Sequence, residues 1–531
     1  MEPTPDSKDF VAELIEKHVD SASGRHQNLG DFVKFGRYTV FIVITYEFLL
    51  MPQMFNMSMM IFSALAARPV SCGPKTFENL SLSEACSELK TTQQLTNCTP
   101  KLGAQFLSLG VEFGLFCETA QTVKHSISVQ MFGVLIGAII FGQLSDLFGR
   151  KRMMFVAHLG LLLFNFLASK ATSMHYFTAL QTISMIFVGG HNSIMHVFLI
   201  ENVPKKLRVL LTTIVSYSPN FIILSFVAYV CQDWRTLLKV CSLLNIVSIC
   251  FLLKHIWKAL GMVLLKIEKF NGTATPKRLG IIDEIIEHEI AQNEEKTKQT
   301  KVYFWHLFCT WRFILYTFII SFSLCTTSLV SYALIFNMEK LPGTIYISTG
   351  LFGLFRYGVN LLVGAIDFFV KRAGRKFIHT SALSYILIML LAIILTKTFD
   401  YHDSTLLRFC TITSAAMCSQ LYIVNGIATS EIFPTAIRNL AVSFVQIFNR
   451  LGAVLAPHLF IIAIYFETLP YLIMFLMMFV SMLIFGFALP ETKSSPMSDH
   501  MPSKDERISF ERRRKSQMIL VPTSAKLVAE Y

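Results

Sequence analysis

Apolar positions in this chain come in long unbroken blocks, not at the short period of a half-buried strand or a surface helix. Twelve blocks begin near Tyr38, Ile127, Met153, Tyr176, Val209, Leu237, Phe313, Ile345, Phe377, Ser404, Leu440 and Leu469. Each approaches the ~20 residues a helix needs to cross a bilayer, where every backbone polar group must be satisfied inside the segment. Six blocks precede a hydrophilic stretch around 258–303 and six follow it. The pattern predicts an all-α membrane protein with twelve transmembrane helices in two six-helix bundles. Its expected divisions are a cytosolic segment 1–37, a first bundle 38–256, a cytosolic loop 257–304, a second bundle 305–490 and a cytosolic tail 491–531. Within the first bundle, 68–125 forms one long outward loop.

Three polar segments carry weaker signals. Phe10, Leu14, Ile15 and Val19 recur at helical spacing, which predicts a short amphipathic helix that can lie on a membrane. A second soluble helix is expected over 281–290. The tail holds Arg512-Arg513-Arg514-Lys515-Ser516, a basic run suited to anionic lipid and open to switching by phosphorylation.

Composition agrees with the membrane reading: 53% of residues are hydrophobic and only 15% charged. The net charge of +12 invites a nucleic-acid reading, but its placement opposes one. Arg150, Lys151, Arg152, Lys205, Lys206, Arg208, Lys371, Arg372, Arg375 and Lys376 fall in alternate connections, together with the central loop and the tail. The other connections offer little beyond Lys170, Arg235, Lys340 and Lys397. That asymmetry places both termini in the cytosol. Cys72, Cys86, Cys98 and Cys117 all lie in the outward loop, so two disulfides are expected there, with three connectivities open. The same loop carries sequons at Asn79 and Asn97, whereas matches at Asn56 and Asn271 fall in a span and a cytosolic loop.

Two phrases repeat. Glu-x-x-Pro-x-x-x-Arg runs from Glu201 to Arg208 and again from Glu431 to Arg438, 230 residues later. Upstream stand Gly149-Arg150-Lys151 and Gly374-Arg375-Lys376. Duplicated halves in so apolar a chain point to a transporter. Each proline ends a helix, leaving the acid in its last turn and the arginine in the following loop. Such acids and bases can pair across the halves when the inner side is shut. No P-loop, His-Glu-x-x-His, Gly-x-Ser-x-Gly or paired Cys-x-x-Cys is present, so neither ATP hydrolysis, a metal, a cofactor nor an enzyme activity is expected.

Gly142-Gln143-Leu144-Ser145-Asp146-Leu147-Phe148-Gly149-Arg150-Lys151-Arg152 resembles the loop signature of the major facilitator superfamily, which joins the second and third helices. There Gly142 would admit a neighbouring helix, Gly149 the tight turn, and Asp146 a cation or helix N-terminus. The second-half copy has Lys371 where an acid would be expected. More closely, residues 29–493 resemble the organic cation, anion and carnitine transporters (solute carrier 22-type). The likeness rests on Leu29 to Tyr38, Glu112 to Cys117, Trp234-Arg235, Thr429 to Asn439, Asn449 to Ala453 and Pro490-Glu491-Thr492. The chain departs from that branch at Gln181, where an arginine is usual, at Gly426 and Ala428, where tyrosines are usual, and around 251–265, where a Pro-Glu-Ser-Pro-Arg stretch is missing. The chain resembles a divergent member of that branch.

Ionisable residues inside spans are costly and mark function. Arg450 lies in the eleventh span, where the resembled anion transporters tend to carry arginine and cation transporters aspartate. Arg356 lies in the eighth span, eleven residues from Asp367 and beyond an i,i+4 pair. Both would favour anions. Glu47, in the first span, suits a cation or proton and could reach either arginine. Tyr332 and Tyr357 are expected to line the cavity beside them. The resulting expectation is a transporter of small organic ions, anions favoured, at the plasma membrane. The alternatives are an organic cation or carnitine carrier, and a non-transporting sensor or scaffold.

Overall fold

A computed structural model of the chain describes residues 36–77, 80, 82–202, 216–259, 304–341, 343–370, 374–399, 404–460, 462–464 and 466–493. The expected helices at 8–20 and 281–290, the basic tail, Asn79 and Arg208 lie outside them. Twelve long helices build the body. The first six are α1 (Arg37–Ser58), α2 (Gln121–Phe148), α3 (Arg150–Ala168), α4 (Met174–Asn202), α5 (Tyr217–Cys231) and α6 (Trp234–Ala259). The second six are α7 (Trp311–Phe336), α8 (Ile345–Phe369), α9 (Arg375–Thr398), α10 (Ser404–Ile432), α11 (Thr435–Leu459) and α12 (Leu469–Ala488).

Among the described residues, ten helices are long and apolar enough to cross a membrane, against twelve expected from the sequence. The other two are α4 and α5. Helix α4 has 29 residues, long enough to span, and buries Gln181, Ser184 and His191 among its apolar residues. Helix α5 is described only from Tyr217, because the expected start near Val209 lies outside the described residues.

The halves meet along α5 with α8 and α2 with α11. Within the first half, α2 and α4 approach through glycine. A Cβ added at Gly137 would overlap the Ile186 backbone, and one at Gly189 would overlap Val134. Small residues let two helix backbones close on each other where no side chain intervenes. Gly142, expected to serve this purpose, instead faces open space. The close approach belongs to the glycines one to three turns earlier on α2.

The long loop after α1 is a small domain at one end of the bundle, here the loop end. Strand β1 (Arg68–Cys72) pairs antiparallel with β2 (Lys75–Thr76) and β3 (Pro100–Gly103), in the order β2-β1-β3. A helix, Leu82–Thr96, crosses from β2 to β3. Register sets Cys72 opposite Pro100, which brings Cys98 alongside. Of the three open connectivities the chain adopts Cys72–Cys98 and Cys86–Cys117. Phe77, Ala85 and Leu89 fill the space beneath them. Asn97 is exposed just past that helix, at φ 51°.

Candidate functional site

Between the halves lies a polar cluster built around Tyr217. Ser216 caps α5 by accepting from the Ser218 amide, which starts the helix one residue before Tyr217. The Tyr217 hydroxyl donates to Asn192 Oδ1 at 2.6 Å and reaches Gln53 Oε1 at 3.3 Å. Arg450, Arg356 and Tyr332 all lie within its electrostatic reach. Arg356 projects from α8 with its guanidinium over the Phe221 and Phe352 rings, at 5.6 and 5.9 Å. Those two rings pack edge to face, 4.8 Å apart. Tyr422 and Cys418 of α10 complete the surroundings of Arg356.

No carboxylate among the described residues pairs with Arg356 or Arg450, and Arg356 Nε is buried without a hydrogen-bond partner. Glu47 does not reach either arginine. It accepts from Asn220 Nδ2 at 2.7 Å, inside its own half. Tyr332 stands in the cluster, its hydroxyl 3.8 Å from Met57 Sδ. Tyr357 is half-buried next to Arg356 but makes no hydrogen bond or ring contact with the cluster. A guanidinium held by aromatic faces keeps its hydrogen-bonding fork available, which suits an incoming carboxylate or sulfonate.

Gln181, in the place of the branch's usual arginine, is sealed inside the first half. It donates to Asn56 Oδ1 at 2.7 Å, Asn56 donates to Ser184 Oγ at 2.9 Å, and Ser184 donates to Asn165 Oδ1 at 2.6 Å. The sequon match at Asn56 is therefore a buried structural amide. Sequence reasoning missed Tyr217, Asn192, Phe221, Tyr422 and Asn360. Asn360 accepts from Ser419 and Gln420, at 2.7 and 2.5 Å, and donates to Ser218 across the halves at 3.2 Å. The available signal was Tyr217-Ser218-Pro219-Asn220, a polar interruption in an apolar run.

The other end of the bundle carries the two Gly-Arg-Lys turns. Gly149 adopts φ +89°, the left-handed conformation that glycine tolerates, and joins α2 directly to α3 at Arg150. Asp146 and Glu201 lie in the last turns of α2 and α4. The second turn works differently. Gly374 has ordinary negative φ, and its missing side chain makes room for the Glu491 carboxylate. Glu491 accepts from the Arg375 and Lys376 amides at 2.7 and 3.1 Å, capping α9. Asp367 pairs with Arg375 at 2.8 Å and Lys493 at 3.0 Å. The acid missing three residues before Gly374 is thus supplied by Asp367 and Glu491. Glu431 lies 3.5 Å from Arg375, inside one half; pairing across the halves is expected only when the inner side is shut. Arg438 Nε lies 3.4 Å from the Phe433 carbonyl.

At the loop end, Glu112 receives Arg235 in a forked pair at 2.9 and 3.1 Å to Nε and 2.5 Å to Nη2, and accepts from the Trp234 indole at 2.6 Å. Arg235 also donates to the Ser169 and Ala171 carbonyls at 2.8 and 2.6 Å. Two of the stretches that carry the family resemblance therefore form one clamp between the loop and the first bundle.

Twelve helices in two groups of six, with matched turns at one end and a polar cluster between the groups, define a multi-pass membrane transporter of the major facilitator fold. Residues 85–501 match the family described as "Sugar (and other) transporter", and the chain belongs to that family. It is 29% identical to a Drosophila melanogaster "Organic cation transporter-like protein", over 73% of this chain and 70% of that one. It is 24% identical to the human "Organic cation/carnitine transporter 2", over 73% and 70%. The fold matches the xylose transporter of E. coli in an inward-open conformation, with TM-score 0.57, 16% identity and coverage of 87% and 98%.

Proposed function

We propose that the chain carries small organic anions across the plasma membrane by rocking one half against the other, without chemistry on its substrate. Both termini and the Gly-Arg-Lys turns face the cytosol; the disulfide loop faces outward and bears a glycan on Asn97. The observation that carries the substrate reading is the pair of arginines, Arg356 and Arg450, gathered near Tyr217 with no acidic partner among the described residues. Two such charges raise the local potential by several kT and exclude cations. Binding is assigned to Arg356, Arg450 and Tyr332, with Tyr357 at the margin. The gate at the cytosolic end is assigned to Asp146, Arg150, Glu201, Arg208 and Arg438, with Arg375 and Glu431 holding the second half together behind it.

A second reading, an organic cation or carnitine carrier, is supported by Glu47, the deep acid beside Asn220, and by the names of the relatives. Uptake into cells of benzoate, tetraethylammonium and carnitine separates the two, with surface labelling as control and Arg450→Asp alongside. Saturable benzoate uptake abolished by the variant supports anions. Wild-type uptake of tetraethylammonium alone makes Arg450 structural and overturns the proposal.

A further inference from the structure

We infer that Gln105, in the disulfide loop, is the outer gate: a helix cap that one half supplies to the other and must withdraw for the transporter to open outward. The inference relies on the proposed orientation only for which side is called outer. Helix α8 begins after Thr344, whose side chain makes no capping bond. The first amide of the helix, Ile345 N–H, donates instead to Gln105 Oε1 at 2.9 Å. The same side chain donates through Nε2 to the Gly343 carbonyl at 3.1 Å, and the Gln105 carbonyl accepts from the Tyr346 hydroxyl at 2.9 Å. Gly343 sits at φ +93°, in the left-handed region. One residue of the first half therefore meets three groups around the N-terminus of α8, on Gly343, Ile345 and Tyr346, a place where helices leave amides unsatisfied.

The strap bearing Gln105 moves with the first half. Leu107 exchanges backbone hydrogen bonds with Gln232 and Trp234 at 3.0 and 3.2 Å, and Ser108 Oγ donates to the Leu65 carbonyl at 2.8 Å. Phe106 is buried against Phe62, ring centroids 5.8 Å apart, and Phe62 stacks on Tyr346 at the same separation. Separate contacts close the same end: the Ala66 amide donates to Glu339 Oε2 at 2.7 Å, and Ser225 Oγ donates to the Tyr346 carbonyl. Gln105 itself is exposed, so water can take over both of its amide bonds when the halves part. Rocking cannot open this end while Gln105 stays on α8, because its strap is fixed to α6 and its partners to α8.

The test bridges the two sides reversibly. Gln105→Cys and Thr344→Cys are joined by a short bis-methanethiosulfonate linker, and the linked peptide is verified by mass spectrometry. Bridged cells should lose at least tenfold of benzoate uptake relative to the unbridged double variant and recover it on mild reduction. Undiminished uptake by bridged protein, or failure of the bridge to form, overturns the gate. Should wild-type cells take up no benzoate, the anion reading fails and the gate is judged by hydrogen exchange on purified Gln105→Ala in lipid nanodiscs. A gate predicts faster exchange both at 345–348 and at the separate closure segments 62–66 and 338–341. Acceleration confined to 345–348 would reduce Gln105 to a local cap and overturn the gate.

Discussion

Replacing Arg356 with glutamine removes a charge that, among the described residues, lies beside rings, hydroxyls and the Cys418 thiol, and the size of the effect follows from that setting. The guanidinium lies 5.6 and 5.9 Å from two aromatic centroids, contacts worth about 0.5–2 kcal/mol each. No carboxylate competes for it among the described residues. An organic carboxylate entering the site adds two charge-assisted hydrogen bonds at roughly 1.5–3 kcal/mol each. After desolvation of the ligand about 2–4 kcal/mol remains as net gain. Glutamine fills part of the volume and recovers roughly 1 kcal/mol through its neutral amide. The remaining loss corresponds to a rise in KM for benzoate of about 10- to 100-fold. Lysine, which keeps the charge but not the fork, should fall between wild type and glutamine. The assay is concentration-dependent benzoate uptake, normalised to surface protein. A KM within threefold of wild type for Arg356→Gln would show that the anion does not meet this guanidinium, and the argument from its unpaired charge would fail.

Three further outcomes are expected. Asp367→Asn loses two ion pairs, at 2.8 and 3.0 Å, and should reduce uptake more than Glu431→Gln, whose contact is 3.5 Å, with surface levels kept in both; the reverse order would place the gate's electrostatics elsewhere. Arg235→Leu strands the Ser169 and Ala171 carbonyls and the Glu112 carboxylate; discounted for partial exposure this costs about 1–2 kcal/mol, read as a lower melting temperature and less protein at the surface. Gly137→Val should abolish folding or delivery because its side chain would overlap the Ile186 backbone, whereas Gly142→Ala, facing open space, should leave protein levels unchanged.

The helices were legible because bilayer burial demands apolar runs, and among the described residues ten helices are long and apolar enough to span. Helix α4 was legible as an apolar run from Tyr176; that it buries Gln181, Ser184 and His191 inside the bundle was not. Glycine patterns identified α2 as a closely packed helix but selected the wrong residue. Spacing along a helix says which glycines share a face, not where a neighbouring backbone crosses, and the crossing is at Gly137. Cysteine positions located the disulfides without pairing them. Pairing depended on the β1–β3 register, a non-local contact. Charge inside a span exposed Arg356 and Arg450 at once. Their lack of an acidic partner among the described residues, and the choice of Asn220 by Glu47, depend on how α1, α5, α8 and α11 are rotated.

The two ends of the molecule hold themselves together by different chemistry, and that difference bears on how the cycle can run. In the second half, at the end with the Gly-Arg-Lys turns, Asp367, Arg375, Glu431, Glu491 and Lys493 form an ionic knot within one bundle. Charges paired inside a rigid half need not be desolvated again as the halves move, so the knot can persist through the cycle and hold α8, α9, α10 and the chain after α12 as one body. The contacts across the loop end include several neutral ones: Gln105 to α8, Ser128 to the Val454 carbonyl at 3.0 Å, and stacked rings, while Glu339 accepts from the Ala66 amide. A neutral hydrogen bond exchanged for water changes free energy by only about 0.5–1.5 kcal/mol. A closure made of such bonds is cooperative enough to seal yet weak enough for substrate binding to reverse. Had the ionic knot bridged the halves, each turnover would need to break several charge pairs, and the carrier would be held in one state.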